Sequence, residues 1–200
     1  MDKLILAISV LLVICLGIII GILFNPREFY SYPYTPDKFN CNIDKAKETE
    51  GLKYFKTKKL IICSLLRDTV WMIDSVKKHC ERLGSEFADY AVVIVENDSS
   101  DGTRDKLIQW ADNNKRVHIL GCQQVNQREC HLQMRRTIDH DKAVWRIQKM
   151  VNLRNIYMNY IASNSVLSKY DYILMWDMDI DGEYYLDGVG TTGYYFKKEA

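Results

Sequence analysis

Between Lys59 and Trp176 the chain alternates short apolar runs with segments of helical periodicity, and this alternation limits the open folds more than any other feature. "LIICSLL", "YAVVIVE", "RVHILG" and "YDYILMW" have the length and residue types of strands. The first, second and fourth read as buried strands, because no polar alternation marks a wet face. "RDTVWMIDSVKKHCERLG" puts Ile73, Val76, Cys80 and Leu83 on one helical face, with Asp68 or Thr69 as cap and Gly84 as stop. "DGTRDKLIQWADNN" predicts a second helix capped by Asp101 or Thr103, and a third runs from about Asp141 to Ser163. Strand–helix units in this order predict an α/β fold with a mainly parallel sheet and helices on both faces.

The flanks set the domain limits. Residues 4–24, "LILAISVLLVICLGIIIGILF", carry no charge and are long enough for a membrane-spanning helix. A cleaved signal peptide is the alternative, but the stretch is long for one and no small-x-small cleavage site follows. The expectation is a signal anchor in 1–24 that holds the protein to a membrane, a stem in 25–57 with all three prolines, and one globular domain in 58–200. Lys3 on one side and Arg27 with Glu28 on the other leave the positive-inside rule nearly silent. The short leading tail fits a type II protein of the ER or Golgi, with a cytosolic-facing domain as the other orientation. Lys and Arg number 27 against 26 Asp and Glu, so no basic face favours a nucleic-acid partner. Of six cysteines, Cys63 reads as core, while Cys122 and Cys130 flank a polar loop and either bridge or remain thiols.

Ligands of parallel sheets bind beyond the carboxyl ends of the strands. Ser64, Arg67 and Asp68 follow the first strand, "ENDSSDGT" (96–103) the second and "DMDIDG" (177–182) the fourth. Ser99, Asp101 and Thr103 serve equally well as turn and cap residues. Glu96 and Asn97 end a buried strand, so a ligand or a hydrogen-bond partner is expected for them. In the long helix Ile147, Val151, Met158 and Ile161 share a face with Arg154 in its midst. A guanidinium on a core-facing stripe must find an anion or reach water: it pairs with a rim aspartate or snorkels, or else it faces a diphosphate. Asn155 could orient the same ligand.

"DMDIDG" satisfies the start of a calcium-binding EF-hand loop, but its twelfth position is Gly188 rather than Glu. The segment before it is strand-like, and "EYYLDGVGTTGYYF" after it does not read as an exiting helix. A second reading requires less. Asp177 and Asp179 alternate on an extended strand end and would hold one Mg²⁺ or Mn²⁺, with Asp181 in reserve. Such a cation neutralises a diphosphate leaving group.

"VVIVENDSSDGT", the Arg146-Ile147 and Arg154-Asn155 pairs of the long helix, and the D-x-D ending the next strand occur in an order that resembles the GT-A class of nucleotide-sugar glycosyltransferases. The flavour is closest to fungal capsule-associated mannosyltransferases, over about residues 59–181. The resemblance implies a Rossmann-like three-layer sandwich, a nucleotide-sugar donor, a glycan, protein or lipid acceptor hydroxyl, and Mn²⁺ or Mg²⁺. It implies base and ribose contacts from Ser64, Arg67, Glu96, Asn97 and Asp98, a diphosphate contact from Arg154, and ribose and metal contacts from Asp177 and Asp179. Members continue past the D-x-D into an acceptor half that supplies the base in inverting enzymes. About twenty residues follow Asp179 here, so a shortened domain is expected; Glu183 and Asp187 are the acids nearby, and neither is assigned as base. The rival expectations are a membrane-anchored module that binds nucleotide or a partner without turnover, and a calcium-binding module. The sequon Asn97-Asp98-Ser99 lies in the expected pocket, where a glycan would block it. Either the segment folds too deeply to be modified or the domain faces the cytosol.

Overall fold

The computed structural model describes residues 44–122, 124–132, 142–178 and 184–199, with side chains placed from residue 145 in the third segment. All belong to one compact unit, Phe39–Ala200. The expected anchor in 1–24 lies outside the described residues, as do Cys15 and Cys41. No helix among the described residues is long and apolar enough to cross a membrane.

The order is α1 (Lys45–Phe55), β1 (Lys59–Leu66), α2 (Ile73–Gly84), β2 (Asp89–Glu96), α3 (Thr103–Asn113), β3 (Val117–Leu120), α4 (Lys142–Ser163), a 3-10 turn (Leu167–Lys169), β4 (Tyr172–Met175) and α5 (Leu186–Glu199). The strands form one sheet, β3-β2-β1-β4, parallel throughout. The expected α/β class is therefore observed. Leu60, Ile62 and Leu66 of β1 join Val92 and Ile94 of β2 under α1, α2 and α3. Ile61 and Cys63 join Val93 and Val95 under Leu153, Tyr157 and Ile161 of α4. Both central strands are covered on both faces, which is why their sequences lack alternation.

Ile73, Val76, Cys80 and Leu83 are all buried, as their spacing predicts. The helix they form begins later than expected. Asp68 sits at φ 51° and accepts at Oδ1 from the Ser100 N–H and hydroxyl, so it latches the β1–α2 loop to the β2–α3 loop instead of capping α2. Neither expected residue is the N-cap of α3, which is Gly102 at φ 92°; Asp101, just before it, accepts at Oδ1 from the backbone N–H and the hydroxyl of Thr103, the first residue of the helix.

Three expectations are corrected. β4 is an edge strand that pairs with β1 alone among the described strands, and Ile173, Leu174 and Met175 are exposed, Met175 by 63%. Apolar composition identifies a strand, but a neighbour has to cover it before it is buried. Second, "EYYLDGVGTTGYYF" is largely helical, in α5. Its glycines are poor helix formers alone, but here they let two helices touch. A Cβ on Gly190 would stand 2.7 Å from the Glu48 carbonyl oxygen, and one on Gly193 would stand 2.6 Å from that of Gly51. Third, α1 falls inside the stretch 25–57 read as a stem. It anchors to the body through Phe55, stacked on Phe87 with centroids 4.6 Å apart, and through the Tyr54 hydroxyl, 2.8 Å from that of Tyr172.

A half-buried titratable contact joins β3 to α4. His118 Nδ1 lies 3.0 Å from the Tyr160 hydroxyl, and burial lowers the imidazole pKa from its usual 6.5. The unfolded chain then binds a proton more readily than the folded one, so this contribution to stability is present above pH 6.5 and is lost as pH falls below it. Urea midpoints at pH 7.5 and pH 5.5 should differ more for the parent protein than for His118→Phe. Equal differences would exclude His118 as a source of acid lability.

Candidate functional site

Strand order reverses between β1 and β4. α2 and α3, which lead away from β1 through β2, cover one face of the sheet; α4, which leads back to β4, covers the other. The connections diverge at the carboxyl ends of β1 and β4, the place where α/β sheets usually bind ligands. In register, Leu66 stands beside Glu96, and Cys63 beside Met175. Asp177, two residues further on, therefore leaves the sheet near the tip of β1, about 10 Å from the tip of β2 at ordinary strand spacing.

Asp177 is exposed, and its Oδ1 is 3.8 Å from Arg154 Nη2 of α4. Tyr157, one turn after Arg154, is buried below them. Burial raises its phenol pKa, Cys63 and Asp177 add to the rise, and Arg154 opposes it. Arg154 pairs with the rim aspartate, one of the partners expected for it, but it does so from outside the core-facing stripe. Of the four apolar residues expected on its face only Ile161 is buried; Ile147 is 65% exposed, and Val151 and Met158 are exposed too. The helix carries two apolar stripes of similar period, and the sheet covers the one with Leu153, Tyr157 and Ile161. The Arg154 side chain is 45% exposed, so it is not forced to find an anion, and its partner is the rim aspartate.

On β1, Ser64 is buried and its hydroxyl has no hydrogen-bond partner among the described residues. Arg67 is exposed, with Nε 3.3 Å from Asp68 Oδ2. At the tip of β2 the residues turn inward. Glu96 is 0% exposed; its Oε1 accepts from the Ser99 N–H at 2.7 Å, and its Oε2 is 2.5 Å from Arg104 Nη2. Arg104 Nη1 donates to the Gln127 carbonyl at 2.8 Å. Glu96 is thus committed to the fold. Asn97 is buried and donates its N–H to the Leu66 carbonyl, which supports the view that the sequon folds too deeply for modification. Asp98, at φ 54°, accepts the Leu132 N–H at 2.7 Å and has His131 Nδ1 4.0 Å away.

Next to Asp98 lies a cavity of about 540 Å³ lined by Gly121, Cys122, Gln127, His131, Leu132 and Ile156. Cys122 and Cys130 are joined by a disulfide. The sequence leaves that bond open and does not single out Arg104, Gln127 or His131. The paired cysteines around a polar loop were the available signal; Arg104, in the first turn of a helix, looks like any surface arginine.

Asp179, Asp181 and Glu183 lie outside the described residues. Among the described residues no group of three or more His, Cys, Asp or Glu could hold a metal. Asp177 does fit a hard dication in kind: an exposed carboxylate at a strand tip supplies one oxygen ligand, and phosphates and water usually complete the set. The EF-hand reading loses one objection and keeps two. α5 does follow the motif, but β4 precedes it where a helix should stand, and the twelfth position, Gly188, carries no carboxylate.

No protein-family model matches the chain, nor does any curated protein or solved structure.

Proposed function

We propose that this domain is the nucleotide-binding part of a GT-A glycosyltransferase, which moves a sugar from a nucleoside-diphosphate donor to an acceptor hydroxyl with Mn²⁺ or Mg²⁺. The supporting observation is the strand-order reversal at β1 and β4 with Arg154 and Asp177 facing each other at its open end. A guanidinium and a carboxylate 3.8 Å apart, both reachable from solvent, suit the two ends of a metal–diphosphate. Asp177, with Asp179 by resemblance, would hold the cation, which neutralises the diphosphate as it leaves. Arg154 would swing from Asp177 to a phosphate oxygen. Arg67, after β1, and Asp98, after β2, would orient the nucleoside, while Glu96 and Asn97 would support them from below. The membrane attachment and the type II topology expected from residues 4–24 belong to the same proposal.

The uncovered edge of β4 favours a second reading, a nucleotide- or partner-binding module without turnover. A thermal-shift screen of UDP-, GDP- and CMP-sugars with and without Mn²⁺ tests the first. One donor should raise Tm by several degrees only when Mn²⁺ is present, since saturation at a hundred times Kd adds about 2.7 kcal/mol. Asp177→Asn should remove the metal requirement together with the shift, and Arg154→Ala should weaken binding about tenfold or more. The absence of a shift with every donor would refute the proposal. Slow metal-dependent hydrolysis of the bound donor would decide against the module.

A further inference from the structure

We infer that the Cys122–Cys130 disulfide is a redox latch on the wall of this site: a dithiol reductant opens loop 121–132 and dismantles the cavity beside Asp98. Five of the six lining residues, Gly121, Cys122, Gln127, His131 and Leu132, belong to this loop, and only Ile156 comes from α4. The cavity therefore exists only while the loop stays in place.

The described residues of the loop contain no helix or strand. Polar contacts hold these residues at four places, one of them the exposed ion pair of Arg128 with Asp112 of α3 at 2.5 Å. Asn126, at φ 58°, imitates a neighbouring strand along β3: its N–H donates to the Ile119 carbonyl at 2.8 Å, and its Oδ1 accepts the Ile119 N–H at 2.7 Å. The Gln127 carbonyl accepts from Arg104, and the Leu132 N–H donates to Asp98. Each such bond contributes modestly in net terms, because water replaces it in the open state. The covalent closure removes chain entropy comparable with what these bonds supply together. Breaking it shifts the balance for this loop, which lends the β1–β2 core the partly buried Leu132, and leaves the strands of that core in place.

The surroundings favour reduction in one direction. Cys122 is partly exposed and Cys130 is buried. An incoming thiolate attacks Cys122 Sγ and the S–S bond breaks, with Cys130 leaving as thiolate. Gly121 lies between that sulfur and Arg104: a Cβ there would be 3.3 Å from Cys130 Sγ and 2.7 Å from Arg104 Nη2. The leaving thiolate thus has a guanidinium within about 6 Å, an arrangement that stabilises thiolates. It then takes a proton from water. The second thiol of the reductant resolves the mixed disulfide, releasing Cys122 as a thiol and the reductant as its own disulfide, a balanced two-electron exchange.

Control over ligand binding rests on the nucleotide reading above; the opening of the loop does not. The test compares the full oxidised chain, the same chain after reduction with dithiothreitol, and Cys122→Ser/Cys130→Ser by amide hydrogen exchange, with and without a UDP- or GDP-sugar and Mn²⁺. The Asn126, Ile119 and Leu132 amides should exchange at least about tenfold faster in both opened forms, with those of β1 and β2 unchanged. Nucleotide affinity should fall about tenfold, within the usual range of site couplings. Unchanged exchange in the loop overturns the latch, as does an equal loss of protection across β1 and β2, which would make the bond a general staple. A loosened loop with unaltered affinity overturns its control of the site. A loosened loop in a protein that binds no nucleotide in either state upholds the latch and removes the nucleotide reading instead.

Discussion

Arg104→Met is expected to destabilise the domain by about 3–5 kcal/mol, the usual cost of leaving one member of a buried ion pair without its partner. Glu96 has no exposure, and Arg104 is the cation beside its Oε2. Methionine fills similar volume but leaves a carboxylate sealed under the β2–α3 turn, still held by one N–H from Ser99. At about 2–4 °C per kcal/mol for a chain of this size, Tm should drop by about 6–20 °C. Pairing the change with Glu96→Gln should recover most of the loss, because removing both charges from a buried pair is often neutral. Urea denaturation of the two single variants and the double variant completes the cycle. A change below about 0.5 kcal/mol for Arg104→Met would mean that water reaches Glu96 and that the tip of β2 is open to a ligand after all.

Gly51→Ala should also be costly, against what helix propensity alone predicts. Alanine in mid-helix is ordinarily worth about 1 kcal/mol over glycine. Here the new Cβ would lie 1.7 Å from the backbone carbonyl oxygen of Gly190 and 2.4 Å from the Tyr194 nitrogen. Neither can move without separating α1 from α5, and overpacking of this kind costs about 1–3 kcal/mol or more. Gly188→Ala is the matched control. Gly188 lies in the first turn of the partner helix, and a Cβ there meets nothing within 4 Å. Calorimetry should show a fall in Tm for Gly51→Ala and no fall for Gly188→Ala. If both variants raise Tm, the two helices do not touch in solution as described.

These two sites mark different limits of what residue order can reveal. The glycines of "GVGTTG" count against a helix in any local scale, and their use appears only when Gly51, more than a hundred residues away, is placed against them. Glu96 is conspicuous as an acid at the end of an apolar run. Whether it faces a ligand or a buried arginine depends on where α3 places Arg104, and a turn of a few residues sets that. Arg154 shows the same limit on a helix: two apolar stripes of one period compete, and the sheet selects between them.

What could be read from residue order alone was whatever short-range chemistry dictates. Period and run length marked the four described strands and the helices between them, and uninterrupted apolar runs gave the double coverage of β1 and β2. Runs followed by amphipathic segments implied a parallel sheet, because parallel strands need long connections. The site was legible as a place, the carboxyl rim, since topology alone points there. Long-range placement settled the rest: β4 uncovered at the edge, Glu96 turned inward onto Arg104, Asp177 paired with Arg154, and the disulfide loop folded beside Asp98. Each of these depends on which distant groups come within a few ångströms, and burial, ion pairing and steric contact act only at that range.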